Sequence, residues 1–415
     1  MTAPTILHGV ETQEQPLVPP IAVNNMAVGG LIGTADGADP DVFPYDTPVL
    51  LSSNPQLAAS LIKNAPGSGL TAGTLPSAVN DFYNEGGGAL VVVRVSDNVS
   101  AETVMSSIVG SSSTMTGSWA FKQAQALLGV KPRTLWAPGY TATRPGAAAN
   151  PVVAALLIIA TALRGRVYAS TPSTDESDAQ AWIEDWQSDR LTAFFPSVLT
   201  WDVGSAAYVA RDAASVNAGL TARVHAKQGF WWSPSNWAYN SVGGLAVPVD
   251  WAQGDYGSMA NILNSNNITT VINQAAQGGN VGGFVRWGNR VPNTSTIFEC
   301  VRTTMDTIEE AIQNVCAWAN DKPPSPFILE QLAYQANGFL KSMVTAGALV
   351  GADFWIDPND NPVNNLEQGT WTFRFDAEPP APMEHIINIA QRNPNYYNNL
   401  LSAVIAAVGS NTTGG

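Results

Sequence analysis

The sequence predicts an α/β protein: a helix–strand alternating body around a mainly parallel sheet, a C-terminal α+β domain with two long helices, and extended terminal β-arms. Three observations support this fold class. The segment Ala89–Val95 is almost continuously apolar, as is typical of a strand buried on both faces of a sheet. Between residues 121 and 221, helical and strand-like segments alternate at the spacing of a parallel sheet. From residue 299, two long amphipathic patterns replace that alternation.

The elements of the body are predicted from residue 26 onward. An apolar run at 26–33 indicates the first strand, and helices are predicted at 54–63 and 75–84, the second stopped by three glycines. The Ser/Gly/Thr-rich segment 100–117 is predicted to be an irregular segment at the surface. The alternation that follows consists of helices at 121–128, 152–163, 179–189 and 209–221, and of strands at 134–137, 166–169 and 193–199.

The C-terminal part follows a different pattern. Apolar residues spaced three or four apart predict a helix over 299–320 with a polar opposite face, and a second over 328–346. Two strands, 353–356 and 371–375, are joined by a loop rich in Asn, Pro and Asp. A short apolar helix is predicted over 396–408.

Both ends of the chain carry a short strand-forming run set off by prolines, four of which lie within residues 1–20. Such a segment cannot bury itself locally, but it can add a strand to the sheet edge of another subunit. We therefore predict an N-terminal arm at 1–20, a body at 21–268, a C-terminal domain at 269–384, and an arm and tail at 385–415. The candidate intersubunit residues are Ile6, Leu7, His8, Gly9 and Val10 in the N-terminal arm, and His385, Ile386, Ile387, Asn388 and Ile389 in the C-terminal arm.

Composition narrows the classes of partner. The chain has 33 acidic and 19 basic residues, a net charge of −14, which argues against free nucleic acid as a partner. Charged residues are only 13%, against roughly 25% in an average domain, which suits a subunit covered by copies of itself. The longest apolar stretch, Pro151–Leu163, is shorter than the about 20 residues of a membrane span, so no membrane insertion is expected. Cys300 and Cys316, about 24 Å apart on one helix, are predicted to be free thiols.

No catalytic, cofactor or metal motif is found, and we expect none. The histidines His8, His225 and His385 are isolated from other ligand-type residues. The glycines at 29–33 lack dinucleotide-binding spacing. The aromatic cluster at 229–237 can be read as a sugar-binding platform, although buried packing is the commoner role of such residues. Besides a subunit that assembles with copies of itself, two other functions stay open. One is a doubly wound, hydrolase-like enzyme, and the other is a glycan-binding particle protein.

Several short motifs follow one another along nearly the whole chain. They are His8–Glu11, Val28–Ala35, Gly86–Gly88, Val130–Arg133, Ala137–Gly139, Gly229–Asn236, Trp287–Arg290, Gly347–Gly351 and Asp376–His385. In content and order they resemble the contractile tail sheath proteins of temperate phages and R-type contractile bacteriocins. Residues 100–117 do not align with that family, and the segment after Asn393 is longer than expected.

The resemblance implies a structural subunit, not an enzyme, that stacks in rings, usually of six, around an inner tail tube and contracts to drive the tube through a target envelope. It implies baseplate and tail terminator proteins as further partners, a place in a virion or particle tail, and assembly in the cytoplasm of a bacterial host. The tube must be held weakly, and exposed charges give contacts of about 0–1 kcal/mol each. Candidate tube-facing residues are Arg302, Asp306, Glu309 and Glu310; the alternative is a plain solvated helix face.

Overall fold

A computed structural model describes residues 26–52, 54–64, 73–97, 100–274 and 283–411. For residues 409–411 it describes the backbone alone. The predicted N-terminal arm, including Ile6–Val10, lies outside these residues. The chain divides into two compact units, residues 1–380 and residues 381–415, and each is described by itself. We call the second the C-terminal unit.

Thirteen strands are found in the described residues: β1 (Gly29–Gly33), β2 (Pro48–Ser52), β3 (Ala89–Arg94), β4 (Thr134–Trp136), β5 (Arg166–Ser170), β6 (Leu191–Phe194), β7 (Val198–Asp202), β8 (Ala207–Arg211), β9 (Val242–Leu245), β10 (Ile268–Asn273), β11 (Phe284–Trp287), β12 (Gly351–Trp355) and β13 (Arg374–Glu378).

Twelve α-helices accompany them within the same ranges: α1 (Pro55–Ala59), α2 (Leu75–Asn84), α3 (Ala101–Val109), α4 (Ala124–Leu128), α5 (Pro151–Leu163), α6 (Glu176–Ile183), α7 (Ala213–Gln228), α8 (Met259–Ser265), α9 (Glu299–Ala317), α10 (Pro326–Thr345), α11 (Val363–Glu367) and α12 (Tyr396–Asn411).

The main sheet has eight strands in the order β11-β10-β6-β5-β4-β1-β3-β2. The six inner strands are parallel, while β11 and β2 pair antiparallel at the two ends. Every residue of β1, β4, β5 and β6 is buried. Burial on both faces explains why these strands read as apolar runs without alternation.

Helices cover both faces of this sheet. One face packs against α3, α5 and α6 around side chains such as Ile32, Leu135 and Leu156. The other packs against α2 and α7 around Leu31 and Trp136. The predicted α/β fold class, with its mainly parallel sheet, is therefore confirmed.

A smaller layer follows the body in sequence. Helices α9 and α10 pack together around Ile308, Leu332 and Phe339, and the antiparallel pair β12–β13 closes this core through Phe354. This is the predicted α+β arrangement with two long helices. A separate three-stranded antiparallel sheet, β8-β7-β9, lies at the edge of the body.

Three predictions about the body were wrong. Segment 100–117 contains helix α3, which buries Val104, Met105 and Ile108. The strand predicted at 193–199 is two strands, β6 and β7, separated at Pro196, whose peptide bond with Phe195 is cis. The residues from 207 to 211 form strand β8, and only then does α7 begin.

The sheet also continues past the predicted domain boundary at residue 268. Strand β10 starts there, and β10 and β11 extend the main sheet to Trp287. Among the described helices, none combines the length and apolarity needed to cross a bilayer.

Candidate functional site

Helix α9 directs five charged side chains toward the body of its own chain. They are spaced 3, 4, 3 and 1 residues apart, so they share one side of the helix, while Ile308, Ile312 and Val315 face α10. We call this set the charged face of α9. Its members are Glu299, Arg302, Asp306, Glu309 and Glu310.

Glu299, the first residue of α9, is 2% exposed and lies among four donor side chains of the body. Arg166 Nη1 donates to its Oε1 at 2.6 Å, and Arg286 Nη2 donates to its Oε2 at 2.5 Å. The Tyr168 hydroxyl also donates to Oε1, and Thr192 donates to Oε2 at 3.3 Å. A buried carboxylate with this many donors is held in one position.

Burial by itself would raise the pKa of Glu299, since a charge is unfavourable away from water. The charges of Arg286 and Arg166, together with the hydrogen bonds, outweigh burial and lower this pKa to about 2. Glu299 is therefore ionised across the physiological range, and the helix begins with a fixed negative charge. That charge also suits the N-terminal end of a helix.

Asp306 forms a two-pronged ion pair with Arg190, with nitrogen–oxygen distances of 2.6 and 2.8 Å. Arg302, one turn earlier, donates to both Asp306 and Glu309 at 2.9 Å. Glu309 also pairs with Arg164. The charges on this side of α9 therefore form a connected network.

Glu310 extends the network toward β4. Lys131 Nζ lies 2.7 Å from its Oε1, and Arg133 donates to its Oε2. The side chain of Arg133 is 1% exposed and that of Glu310 is 6% exposed. Removing one member of such a buried pair leaves the other charge uncompensated.

The partners of α9 share a position in the sheet. Arg133 directly precedes β4, Arg166 opens β5, and Arg190 directly precedes β6. These strands are adjacent and parallel, so their starts lie at one edge of the sheet. Helix α9 is thus bound along the amino-terminal edge, a contact we call the α9–sheet interface.

This arrangement changes the role assigned to the four candidate tube-facing residues. Asp306 and Glu310 are buried, and Arg302 and Glu309 are half-buried, each paired with residues of the same chain. Neither an open tube-contacting surface nor a plain solvated face describes them. The missed signal in the sequence was a basic residue at the start of three successive predicted strands.

Other polar, aromatic and sulfur-containing side chains lie in packed surroundings. Arg286 is fully buried against Glu299, and in the aromatic cluster at 229–237 Trp231 packs edge-to-face on Phe230. Burial lowers the pKa of His225 to about 3 and raises that of Cys300 to about 12, so neither is poised to react at neutral pH. Both cysteines are free, as predicted. Within the described residues, no group of three or more His, Cys, Asp or Glu side chains could hold a metal ion.

The β12–β13 pair is a second candidate site, because its two strands pair only with each other in the described chain. Ala352 opposes Ala377 and Phe354 opposes Phe375, and these four face the α9–α10 core. A two-stranded sheet is only marginally stable and has two edges that can accept a further strand.

One edge of this pair is already covered. The side-chain amide of Asn337, on α10, donates to the Phe354 carbonyl at 2.8 Å and accepts from the Phe354 N–H at 2.9 Å. Both polar backbone groups of Phe354 are therefore occupied on the β12 edge. No described side chain covers the β13 edge in this way, so β13 offers the open edge.

The C-terminal unit contains the predicted C-terminal arm. Within residues 379–393 the structure contains no strand, and Ile386, Ile387 and Ile389 are 67%, 72% and 90% exposed. The arm residues are therefore extended or irregular and form no strand within the C-terminal unit. Helix α12 follows them, close to its predicted position.

The described residues thus combine an α/β body, a helix bound along one edge of its sheet, and a strand pair whose β13 edge is open. Residues 292–390 match a family model described as the phage tail sheath C-terminal domain.

Curated relatives extend this likeness over nearly the whole chain. The major tail sheath protein of Serratia phage KSP20 is 28% identical, covering 94% of this chain and 96% of that protein. The tail sheath protein of Escherichia phage P2 is 26% identical, covering 92% and 94%. The resemblance predicted from the sequence is confirmed: over nearly its whole length the chain is similar to tail sheath proteins. None of these relatives supports either of the two alternative functions.

Solved structures show the same fold. The sheath of the anti-feeding prophage in its contracted state has a TM-score of 0.68 at 16% identity, covering 94% of this chain and 100% of that one. A sheath complex of the extracellular contractile injection system PVC, also contracted, has a TM-score of 0.65 at 17% identity, covering 95% and 100%.

Proposed function

We propose that this chain is the repeating subunit of a contractile sheath that stacks in rings of six around an inner tube and drives the tube through a target envelope. The relatives named above support the sheath role, and solved proteins of the same fold are found in contracted sheaths. A baseplate at one end and a terminator protein at the other would be its further partners.

Neighbouring subunits would be linked by strand exchange. The observation that carries this proposal is the run His385–Ile389, which has a strand-forming composition, exposed isoleucines and no strand partner in the described chain. The open β13 edge of another copy is the natural acceptor, since Asn337 occupies the β12 edge. Ile6–Val10 would act in the same way from the other end of the chain.

Contraction would need no nucleotide. A subunit held in one lattice can release free energy by burying more surface in another, and each extra 100 Å² of apolar burial is worth about 2.5 kcal/mol. Because the α9–sheet interface fixes the layer of α9, α10 and β12–β13 to the body, the change would be carried by contacts between subunits. Free cysteines fit assembly in a reducing host cytoplasm.

The test is electron microscopy of negatively stained wild-type protein and two proline variants. Ile387→Pro removes an N–H from the predicted exchanged strand and blocks its pairing. The matched control, Gln391→Pro, lies in the same segment but outside that run. We expect hollow tubes from the wild type and the control, and soluble subunits with an unchanged melting temperature from Ile387→Pro.

A second variant that lacks residues 1–15 examines the N-terminal arm by the same assay. It should yield folded subunits that do not polymerise. Normal tubes from both this truncation and Ile387→Pro would refute strand exchange, and the absence of tubes from the wild type would refute the sheath role.

A further inference from the structure

Helix α12 has an apolar face that no other described part of the C-terminal unit covers. Its large apolar side chains are all between 50% and 67% exposed. Tyr397, Leu401, Val404 and Val408 are spaced 4, 3 and 4 apart, the spacing of residues that meet a partner helix. The remaining members of the face are Tyr396, Leu400 and Ile405.

The opposite side of α12 carries small or polar residues: Asn398, Asn399, Ser402, Ala403 and Ala406. A helix of about this length is only marginally stable alone in water, and most helical stability comes from packing an apolar face. The amphipathic pattern therefore points to a packing partner for the Val404 side.

Charge narrows the choice of partner. Residues 393–415 contain no Asp, Glu, Lys, Arg or His, although the whole chain has a net charge of −14. Identical copies of an uncharged helix can meet without like-charge repulsion. A helix that lies on an anionic membrane surface, by contrast, presents Lys and Arg on its polar face.

Helix α12 also lies beyond the segment that matches the family model. The match to the sheath C-terminal domain ends at residue 390, and α12 begins at Tyr396. The strand-exchange arm and α12 are thus separate features, and the contacts made by the arm do not account for the apolar face of α12.

We propose that α12 packs against the α12 helices of neighbouring copies in the assembled sheath, forming a helix–helix contact additional to strand exchange. This inference rests on the proposed sheath function, which brings the copies together. Tethering to adjacent subunits gives the helices a high effective concentration, so a contact too weak to dimerise free subunits can form in the polymer. A contact between only two helices uses about two apolar positions in every seven residues. The apolar face of α12 is wider than that, which favours packing with more than one neighbour.

Cysteine cross-linking in assembled sheaths tests this contact. Val404→Cys places a thiol at the centre of the apolar face, and the matched control Ala406→Cys places one on the opposite side of the same helix. Wild-type sheaths give the background from Cys300 and Cys316. Under mild oxidation we expect about tenfold more disulfide-linked dimer from Val404→Cys than from Ala406→Cys, because a disulfide needs closely apposed Cα atoms.

A second variant, Leu401→Gln/Val404→Gln, keeps the helix and removes part of its apolar face. It should still form tubes, since the arms are intact, but the tubes should dissociate at a lower urea concentration than wild-type tubes. Tubes that form normally, with equal cross-linking of the two cysteine variants, would overturn the α12 contact and leave the sheath role standing.

Flotation with vesicles of phosphatidylglycerol and phosphatidylethanolamine tests the other possible partner of the apolar face, a lipid surface. The α12 contact predicts that wild-type tubes remain in the pellet. Flotation of wild-type protein that is lost in Leu401→Gln/Val404→Gln would assign the face to lipid and overturn the proposal. If no variant and no wild-type protein forms tubes, the sheath role itself fails.

Discussion

The α9–sheet interface and the C-terminal unit differ both in composition and in the burial of their side chains. At the interface, carboxylates of α9 meet arginines from three strand starts of the same chain, and the pairs are buried. In the C-terminal unit, residues 393–415 have no charged side chain, and the large apolar groups of α12 are exposed.

On the proposed function, this difference separates the contacts that hold one subunit together from those that would join subunits. Buried ion pairs need well-defined partners, because an unmatched buried charge is costly, so they suit a contact made once within one chain. Uncharged apolar and backbone surfaces are tolerant of small shifts, which suits contacts with moving neighbours. Four predictions test this division.

The largest effect is expected from Glu299→Gln. The substitution leaves Arg166 and Arg286 buried without their counter-ion, so the free energy of unfolding should fall by about 3–5 kcal/mol. Urea denaturation of the soluble subunit measures it. Asp360→Asn, which breaks the surface pair with Arg374, is the control and should cause no measurable change. Equal losses in the two variants would contradict a special role for the interface.

Acid should weaken the same interface. The folded-state pKa of Glu299 is lowered to about 2 from an ordinary value of 4.5, so its contribution is present above pH 4.5 and is lost as the pH falls toward 2. The expected loss is roughly 3 kcal/mol, taking about 1.4 kcal/mol for each pKa unit. Unfolding measured from pH 5 to pH 2 should show a shallower slope in Glu299→Gln than in the wild type; identical slopes would count against this assignment.

A smaller effect is expected from Asn337→Ala. Two hydrogen bonds to the Phe354 backbone are lost, and the subunit should be destabilised by about 1–2 kcal/mol. Unlike Glu299→Gln, this change uncovers the β12 edge, so aggregation measured by light scattering should increase. Asn364→Ala, in the exposed helix α11, is a suitable control. A destabilised variant with no added aggregation would show that the β12 edge is protected by something other than Asn337.

The smallest effect concerns α12. Because residues 393–415 contain no native side chain that titrates near neutrality, the final yield of disulfide through Val404→Cys should be the same in sheaths held at pH 6 and at pH 8. The yield is taken after the oxidation is complete, since its rate follows the thiolate fraction of the introduced cysteine. Mass spectrometry of the linked peptides gives the yield. A marked pH dependence would place a charged surface against α12 and contradict a contact between like helices.

Sequence periodicity located the helices and strands whose pattern depends on burial alone and not on which distant segment they contact. Helix α2 was predicted with its observed bounds, and β3 to within one residue, because amphipathic spacing and continuous apolarity depend only on burial. Helix α3 was missed because its serines resemble loop residues. In the fold, Ser100 caps it, and Ser106 and Ser107 donate to carbonyls one turn back.

The charged face of α9 was located correctly, but its partners were not. Arg133 lies 177 residues away in sequence from Glu310, and Arg166 lies 133 residues from Glu299. Helical spacing shows which side chains share a face, but it carries no information on which distant segment meets that face. The match between three strand starts and one helix becomes visible only once the strands are ordered in the sheet.

The position of the basic residues at strand starts has a mechanical consequence. A pull applied to the β12–β13 pair passes through the α9–α10 core and reaches the body at the beginnings of β4, β5 and β6 together. Three adjacent strands then share the tension, so no single strand has to be peeled from its neighbours. A device that works by sudden shortening gains from anchorage spread in this way across its stiffest layer.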